Sequence, residues 1–180
     1  ILKEAVAYGE SRGYTVDLGP EMEFYLFKTD EAGEPTREPF DHAGYMGISP
    51  EDRGEDIRRE VCFTLLDMGI TPESSHHEEG PGQNEIDFRY SAPLAAADNT
   101  STFKWVVKTL AMLNGAAASF MPKPMPEAPG SGMHVNISVT GREGPDPFRP
   151  FLAGILDHIR EMTLFLNPCR ESYDRLGGRK

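Results

Sequence analysis

The chain has 180 residues, with 29 acidic against 18 basic side chains and a formal net charge of −11. That balance excludes a general nucleic-acid binder, which needs a basic face, and agrees with an acidic surface able to collect divalent cations. The length suits one domain with a real core or one large piece of a bigger domain.

No apolar run approaches the roughly 18 residues of a membrane span, and no secretory-type start is visible. Cys62 and Cys169 lie far apart and outside any paired motif, so a reduced, cytoplasmic chain is expected. The sequence opens on Ile1 rather than Met and ends in Gly177-Gly178-Arg179-Lys180, with no helix cap. A piece of a longer protein is therefore expected.

Leu2, Ala5, Val6 and Tyr8 share a helical face, so residues 1–13 read as the end of an amphipathic helix, weakened by Gly9 and Gly13. Thr15 to Pro20 leads into a strand over residues 21–27. There alternation puts Glu21, Glu23, Tyr25 and Phe27 on one face and Met22, Phe24 and Leu26 on the other. At ~3.4 Å per residue, the two carboxylates sit about 7 Å apart. Residues 28–50 are polar and rich in Gly and Pro, an excursion with one hairpin.

Ile57, Val61, Thr64, Leu65 and Met68 recur at helical spacing, and Gly69 is the expected stop. Residues 72–78 read as a strand, Gly80-Pro81-Gly82 as a turn, and residues 83–90 as the return strand of a hairpin. Residues 93–115 form the strongest helical segment. A short strand over 116–121 ends at Pro122-Lys123-Pro124. In residues 133–139 alternation places His134, Asn136 and Ser138 on one face and Met133, Val135, Ile137 and Val139 on the other. Residues 148–166 read as a second long helix. The interleaving and the hairpin predict an α+β fold: a largely antiparallel sheet with helices packed behind it.

Three motifs carry ionisable side chains next to glycines. Glu21 and Glu23 have two readings: the solvated face of a sheet edge, or a site. Tyr25 and Phe27 share their face and make it partly buried, and buried carboxylates need a cation or hydrogen-bond donors. The run His76-His77-Glu78 alone is equally a surface polar stretch. The Gly-Pro-Gly turn brings Glu78 and Glu85 close on paired strands, where they repel unless a metal lies between them. His134 alone reads first as a satisfied histidine in a sheet; Gly130-Ser131-Gly132 before it leaves backbone N–H groups open to an anion. Carboxylates with one imidazole and no thiolate suit hard divalent cations, which serve phosphate chemistry.

Together the motifs resemble glutamine synthetase of the bacterial type I class, specifically part of its catalytic domain. The resemblance rests on residues 19–27, on His76-His77-Glu78 with residues 81–85, and on Asp98-Asn99 with residues 102–108. It continues through residues 120–124 and 130–136, Asn167-Pro168 and residues 172–176. They fall in the family's order and cover nearly the whole chain.

The resemblance implies a ligase that transfers the γ-phosphoryl of ATP to glutamate, after which ammonia displaces phosphate to give glutamine. It implies two Mg²⁺ or Mn²⁺ sites. Glu23, Glu78 and Glu85 match the three ligands of one; Glu21 and His134 match two ligands of the other. It further implies that Gly130 approaches glutamate, that Arg175 is a catalytic and substrate-binding arginine, and that Tyr90, Asn136 and Ser138 lie near the nucleotide. Partners are small molecules, with no nucleic acid and no membrane, and the parent is a homo-oligomer of stacked rings.

Asn136 stands where many members have histidine, and Pro129 where many have asparagine. The family's N-terminal β domain, its flap and the last ligand of the second metal are expected outside residues 1–180, so the chain by itself is expected to be inactive. Alternatives on the same fold are ligation of a polyamine or an anilide amine to glutamate, or a non-catalytic binding or regulatory relative.

Overall fold

The computed structural model describes residues 1–141 and 146–177. The end read as uncapped, Gly178 to Lys180, lies outside the described residues. One strand organises the fold. β1 (Tyr14–Thr29) is 16 residues long and pairs antiparallel with four others. These are β2 (Pro35–Pro39), β4 (Gln83–Phe88), β5 (Ala116–Ser119) and β6 (Met133–Gly141). β3 (Pro72–His77) completes the six-stranded sheet by pairing with β4. The expected antiparallel α+β arrangement is what the structure shows.

β1 starts seven residues before Glu21, where the sequence suggested only a lead-in. Pro20 is tolerated inside it because the β4 ladder begins at Glu21↔Asp87 and resumes only at the Leu18↔Ser91 bridge. The missing N–H falls in that gap.

Met22, Phe24 and Leu26 point from β1 into the core, joined by Ile86 and Phe88 from β4. α2 (Glu55–Asp67) covers them with Ile57, Val61 and Leu65, and α3 (Pro93–Leu113) with Phe103, Val106, Val107, Leu110 and Ala111. Phe24, Phe88, Phe103 and Phe120 meet at centroid distances of 5.5–6.1 Å, the usual range for aromatic packing.

α2 stops and α3 starts where the sequence provides for it. Gly69 at φ +82° closes α2, with Ile70 N–H donating to Leu65 O and Gly69 N–H to Leu66 O in a Schellman arrangement. Pro93 opens α3, where its missing N–H costs nothing.

α1 (Leu2–Ser11) and α4 (Phe148–Leu166) have no buried residue. α4 rests on β6, whose apolar face is mostly open: Met133 is 51% and Val135 42% exposed. α5 (Arg170–Gly177) was not foreseen. None of the helices is long and apolar enough to cross a membrane among the described residues.

Candidate active site

With α2 and α3 on one face of the sheet, the opposite face is left to the acidic side chains. β1 presents Glu21 and Glu23; β4 presents Glu85 and Asp87, because the register pairs Glu21 with Asp87 and Glu23 with Glu85. β6 brings His134 opposite Glu21, and β3 brings His76 opposite Glu85. The turn does bring Glu78 and Glu85 close, as expected; what is corrected is the strand bound, since β3 ends at His77, Glu78 lies one residue beyond, and His76 is the cross-strand partner of Glu85.

Glu85 is the hinge of the arrangement. Among the described residues it joins two sets whose ligand atoms all lie within 4.8 Å of one another: His76, Glu78 and Glu85, and Glu21, Glu85 and His134. His76 Nε2 lies 2.8 Å from Glu78 Oε1 and 3.2 Å from Glu85 Oε2. His134 Nδ1 lies 3.1 Å from Glu21 Oε2, and Asn136 Nδ2 donates to Glu21 Oε1 at 2.7 Å.

Glu23 stands beside these sets. Its Oε2 accepts from Gln83 Nε2 at 2.8 Å and from Gly132 N–H at 2.9 Å. A Cβ on Gly132 would lie 2.7 Å from Glu23 Oε1, so only glycine lets the carboxylate lie against the backbone. Two of the N–H groups read as open to an anion are in fact taken: Gly132 N–H by Glu23 and Ser131 N–H by Pro122 O.

The electrostatics follow from crowding. Burial pushes the Glu85 carboxyl up to about 9, and the neighbouring Glu78, Asp87 and Glu23 add to it. Burial also raises Glu23, Glu78 adds to that, and Gly132 N–H, His134 and Arg175 draw it back. Asp87 is raised chiefly by burial and further by Glu21. Its Oδ2 accepts from Ser74 Oγ, while Oδ1 is buried without a partner. A half-buried face with this much unmet negative charge and one orphaned oxygen fits a bound cation. Its carboxylate and imidazole donors match a hard divalent ion.

A cleft of ≈ 610 Å³ opens beside the carboxylates, lined by Glu23, Glu78, Gln83, Gly130, His134 and Arg175. α5 supplies Arg175, and Lys123 and Glu79 also reach the cleft. Gly130 is needed because a Cβ there would lie 2.9 Å from Arg175 Cγ. Tyr90 and Asn136 flank Gly19, which a Cβ would bring to 3.4 and 3.7 Å from theirs. Ser138 follows two residues along β6, opposite Asp17. The cleft therefore brings carboxylates and the His134 imidazole together with the fixed positive charges of Lys123 and Arg175.

Sequence reasoning passed over His76, Gln83 and Asp87 as site members. Alternation along the return strand puts Glu85 and Asp87 on one face, a signal by which Asp87 could have been found. His76 needed the register.

Residues 1–179 match the family described as glutamine synthetase, catalytic domain. The chain belongs to that family. It is 45% identical over 189 aligned positions to glutamine synthetase of Methanosarcina mazei and 46% to that of Clostridium saccharobutylicum. Each alignment covers 98% of this chain and 42% of the relative, so the chain spans less than half of the curated relatives it matches. Among solved structures, ligand-free GmaS superposes with a TM-score of 0.85 at 29% identity, covering 98% of this chain and 45% of that one. Plasmodium falciparum glutamine synthetase superposes at 0.81 with 26% identity, covering 97% and 42%. The sheet and its helices are thus those of glutamine synthetase catalytic domains.

Proposed function

We propose that this chain is part of the catalytic domain of a glutamine synthetase, and that the whole protein joins ammonia to the γ-carboxylate of L-glutamate at the expense of ATP. The observation that carries this reading is the convergence on Glu85 of two carboxylate–imidazole sets beside a cleft lined by Arg175. Glu23, Glu78 and Glu85, with His76 beside them, hold one Mg²⁺ or Mn²⁺; Glu21 and His134 contribute to a second. When bound, these cations neutralise the charge that develops as the γ-phosphoryl moves from ATP to glutamate.

The chain's own groups do the rest. Arg175 holds a permanent positive charge over the cleft and binds the anionic substrate and the transferred group. Gly130 lets glutamate approach the backbone. Gln83 and Gly132 hold Glu23 in one orientation. Tyr90, Asn136 and Ser138 lie on the side of Glu21 and take the nucleotide. The motif series supports the type I class. The open apolar faces of α4 and β6 support burial against further protein, in keeping with an assembly of stacked rings, and the free cysteines support a cytoplasmic setting.

The test is formation of glutamine and phosphate by the full-length protein from glutamate, ATP and ammonium with Mg²⁺. Arg175→Ala should lower kcat/KM by about 10² or more, the loss expected when a positioned charge is removed. Wild-type protein that consumes no ATP in a glutamate-dependent way sinks the proposal. Glu79, an extra carboxylate at the cleft beside Glu78, favours a second reading in which a polyamine, cationic at neutral pH, replaces ammonia. Supplying a polyamine in place of ammonium separates the two.

A further inference from the structure

The hairpin that carries Glu78 and Glu85 is tied down by two side chains that face away from the cleft. His77 is fully buried. Its Nδ1 lies 2.7 Å from the Glu78 carbonyl oxygen and its Nε2 lies 2.8 Å from Asp41 Oδ1. A carbonyl only accepts, so Nδ1 carries the hydrogen toward Glu78, and Nε2 faces the Asp41 carboxyl group.

Asp41 gathers the hairpin from the other side. Its Oδ1 also accepts from Gly82 N–H at 3.1 Å, and its Oδ2 accepts from Arg53 N–H at 3.0 Å. Gly82 sits at φ +69°, and a Cβ there would lie 2.6 Å from Leu26 O, so the turn has no room to shift. Glu78 N–H donates to Gln83 O at 2.8 Å. The Glu78 residue is therefore held at its N–H by the return strand and at its carbonyl by His77. Asp41 joins the end of β3 to the Gly82 turn through one oxygen.

We propose that the buried Asp41–His77 pair is a positioning unit for the metal-binding hairpin. It fixes the backbone of Glu78 and so aims Glu78 and His76 at Glu85, without touching cation or substrate. This rests on the reading of the cleft as a divalent-cation site.

The two nitrogens of His77 can be separated by substitution. The amide nitrogen of Asn occupies the place of Nδ1, and that of Gln the place of Nε2. His77→Gln thus keeps the bond to Asp41 and loses the bond to Glu78; His77→Asn does the reverse. Mn²⁺ binding by the full-length protein is followed by the free-ion electron paramagnetic resonance signal, well below the melting temperature of each variant. The expected result is at least about tenfold weaker binding in His77→Gln and no more than about threefold in His77→Asn, since displaced supporting groups typically cost ten- to hundredfold in metal affinity.

A purely structural role lowers the melting temperature of both variants and leaves Mn²⁺ affinity within about twofold of wild type, which overturns the proposal. Equal weakening in both also overturns it, because the effect then does not run through the Glu78 carbonyl. Should the His77 variants not fold, isosteric Asp41→Asn decides, because unlike His77→Asn it also disturbs the bonds that hold the Gly82 turn and Arg53: about tenfold weaker Mn²⁺ binding supports the pair and unchanged binding overturns it. Wild-type protein that binds no Mn²⁺ fails the cation-site reading itself and this inference with it.

Discussion

Gly80→Ala tests the packing that separates the core from the cleft. A Cβ at Gly80 would lie 2.1 Å from Tyr25 Oη, 2.9 Å from Tyr25 Cζ and 2.8 Å from Gln83 Oε1. Tyr25 is fully buried and cannot swing into solvent. Its hydroxyl donates to Pro129 O at 2.7 Å, and its ring stacks on Phe27 at 5.9 Å. To reach van der Waals distance the hydroxyl must move by more than 1 Å, which breaks the bond to Pro129. Overpacking costs about 1–3 kcal/mol, and the lost bond to Pro129 about 0.5–1.5 kcal/mol more, since Gln83 Oε1 at 3.3 Å is a second acceptor for the hydroxyl. The expected loss is therefore about 1.5–4.5 kcal/mol, read as a lowered midpoint in thermal or urea unfolding followed by circular dichroism.

The second half of the cycle identifies the cause. Tyr25→Phe alone loses the Pro129 bond, but it removes the closest clashing atom. In that background Gly80→Ala should cost at least about 1 kcal/mol less than in the wild type, the coupling expected of residues in contact. Additive losses, or a Gly80→Ala midpoint equal to the wild type, would refute the reasoning.

Three further outcomes are expected. Arg58→Ala should destabilise by about 3–5 kcal/mol, because Arg58 Nη2 donates to Asp52 Oδ2 at 2.6 Å with both groups buried, and its removal leaves an unpaired internal charge; unfolding in urea measures it. Gly132→Ala should weaken Mn²⁺ binding by about tenfold by displacing Glu23 while changing stability little, since the clash falls on a movable carboxylate; calorimetric titration reads the affinity. Finally, metal-free protein should melt at lower temperature at pH 8.5 than at pH 6, and excess Mg²⁺ should narrow the difference. Glu85 has a folded pKa raised from 4.5 to about 9, so the stability it retains below 4.5 is lost as pH rises through 9. His77, raised above 6.5, acts in the same direction, its contribution fading as pH rises through its folded value. A melting temperature that climbs between these pH values contradicts both assignments.

Much of the architecture could be read before any coordinates. α2 and α3 follow from apolar spacing of three and four, with Gly69 and Pro93 at the ends where backbone geometry wants them. The β3–β4 hairpin follows from Gly80-Pro81-Gly82, and the alternation in β1 separates the core side from the acidic side. The extent of β1 was hidden, because four partner strands rather than local propensity keep Tyr14 to Thr29 extended. α5 was hidden too: Arg170 to Gly177 is mostly polar, and Tyr173 and Leu176 alone at helical spacing are too few to mark it. Asp41 lay in a segment that read only as a polar excursion, and its role exists only where His77, Gly82 and Arg53 meet it.

The sequence by itself determined the acidic face, the residue types able to hold a cation and the membership those motifs imply, because these depend on side-chain chemistry and on a period of two. Tertiary structure decided which groups meet. Glu85 takes His76 rather than Glu78 across the ladder, Glu23 turns to Gln83 and Gly132, and Arg175 reaches the cleft from a helix at the far end of the described chain. Register and long-range packing set those distances, and neither is encoded in any single stretch of residues.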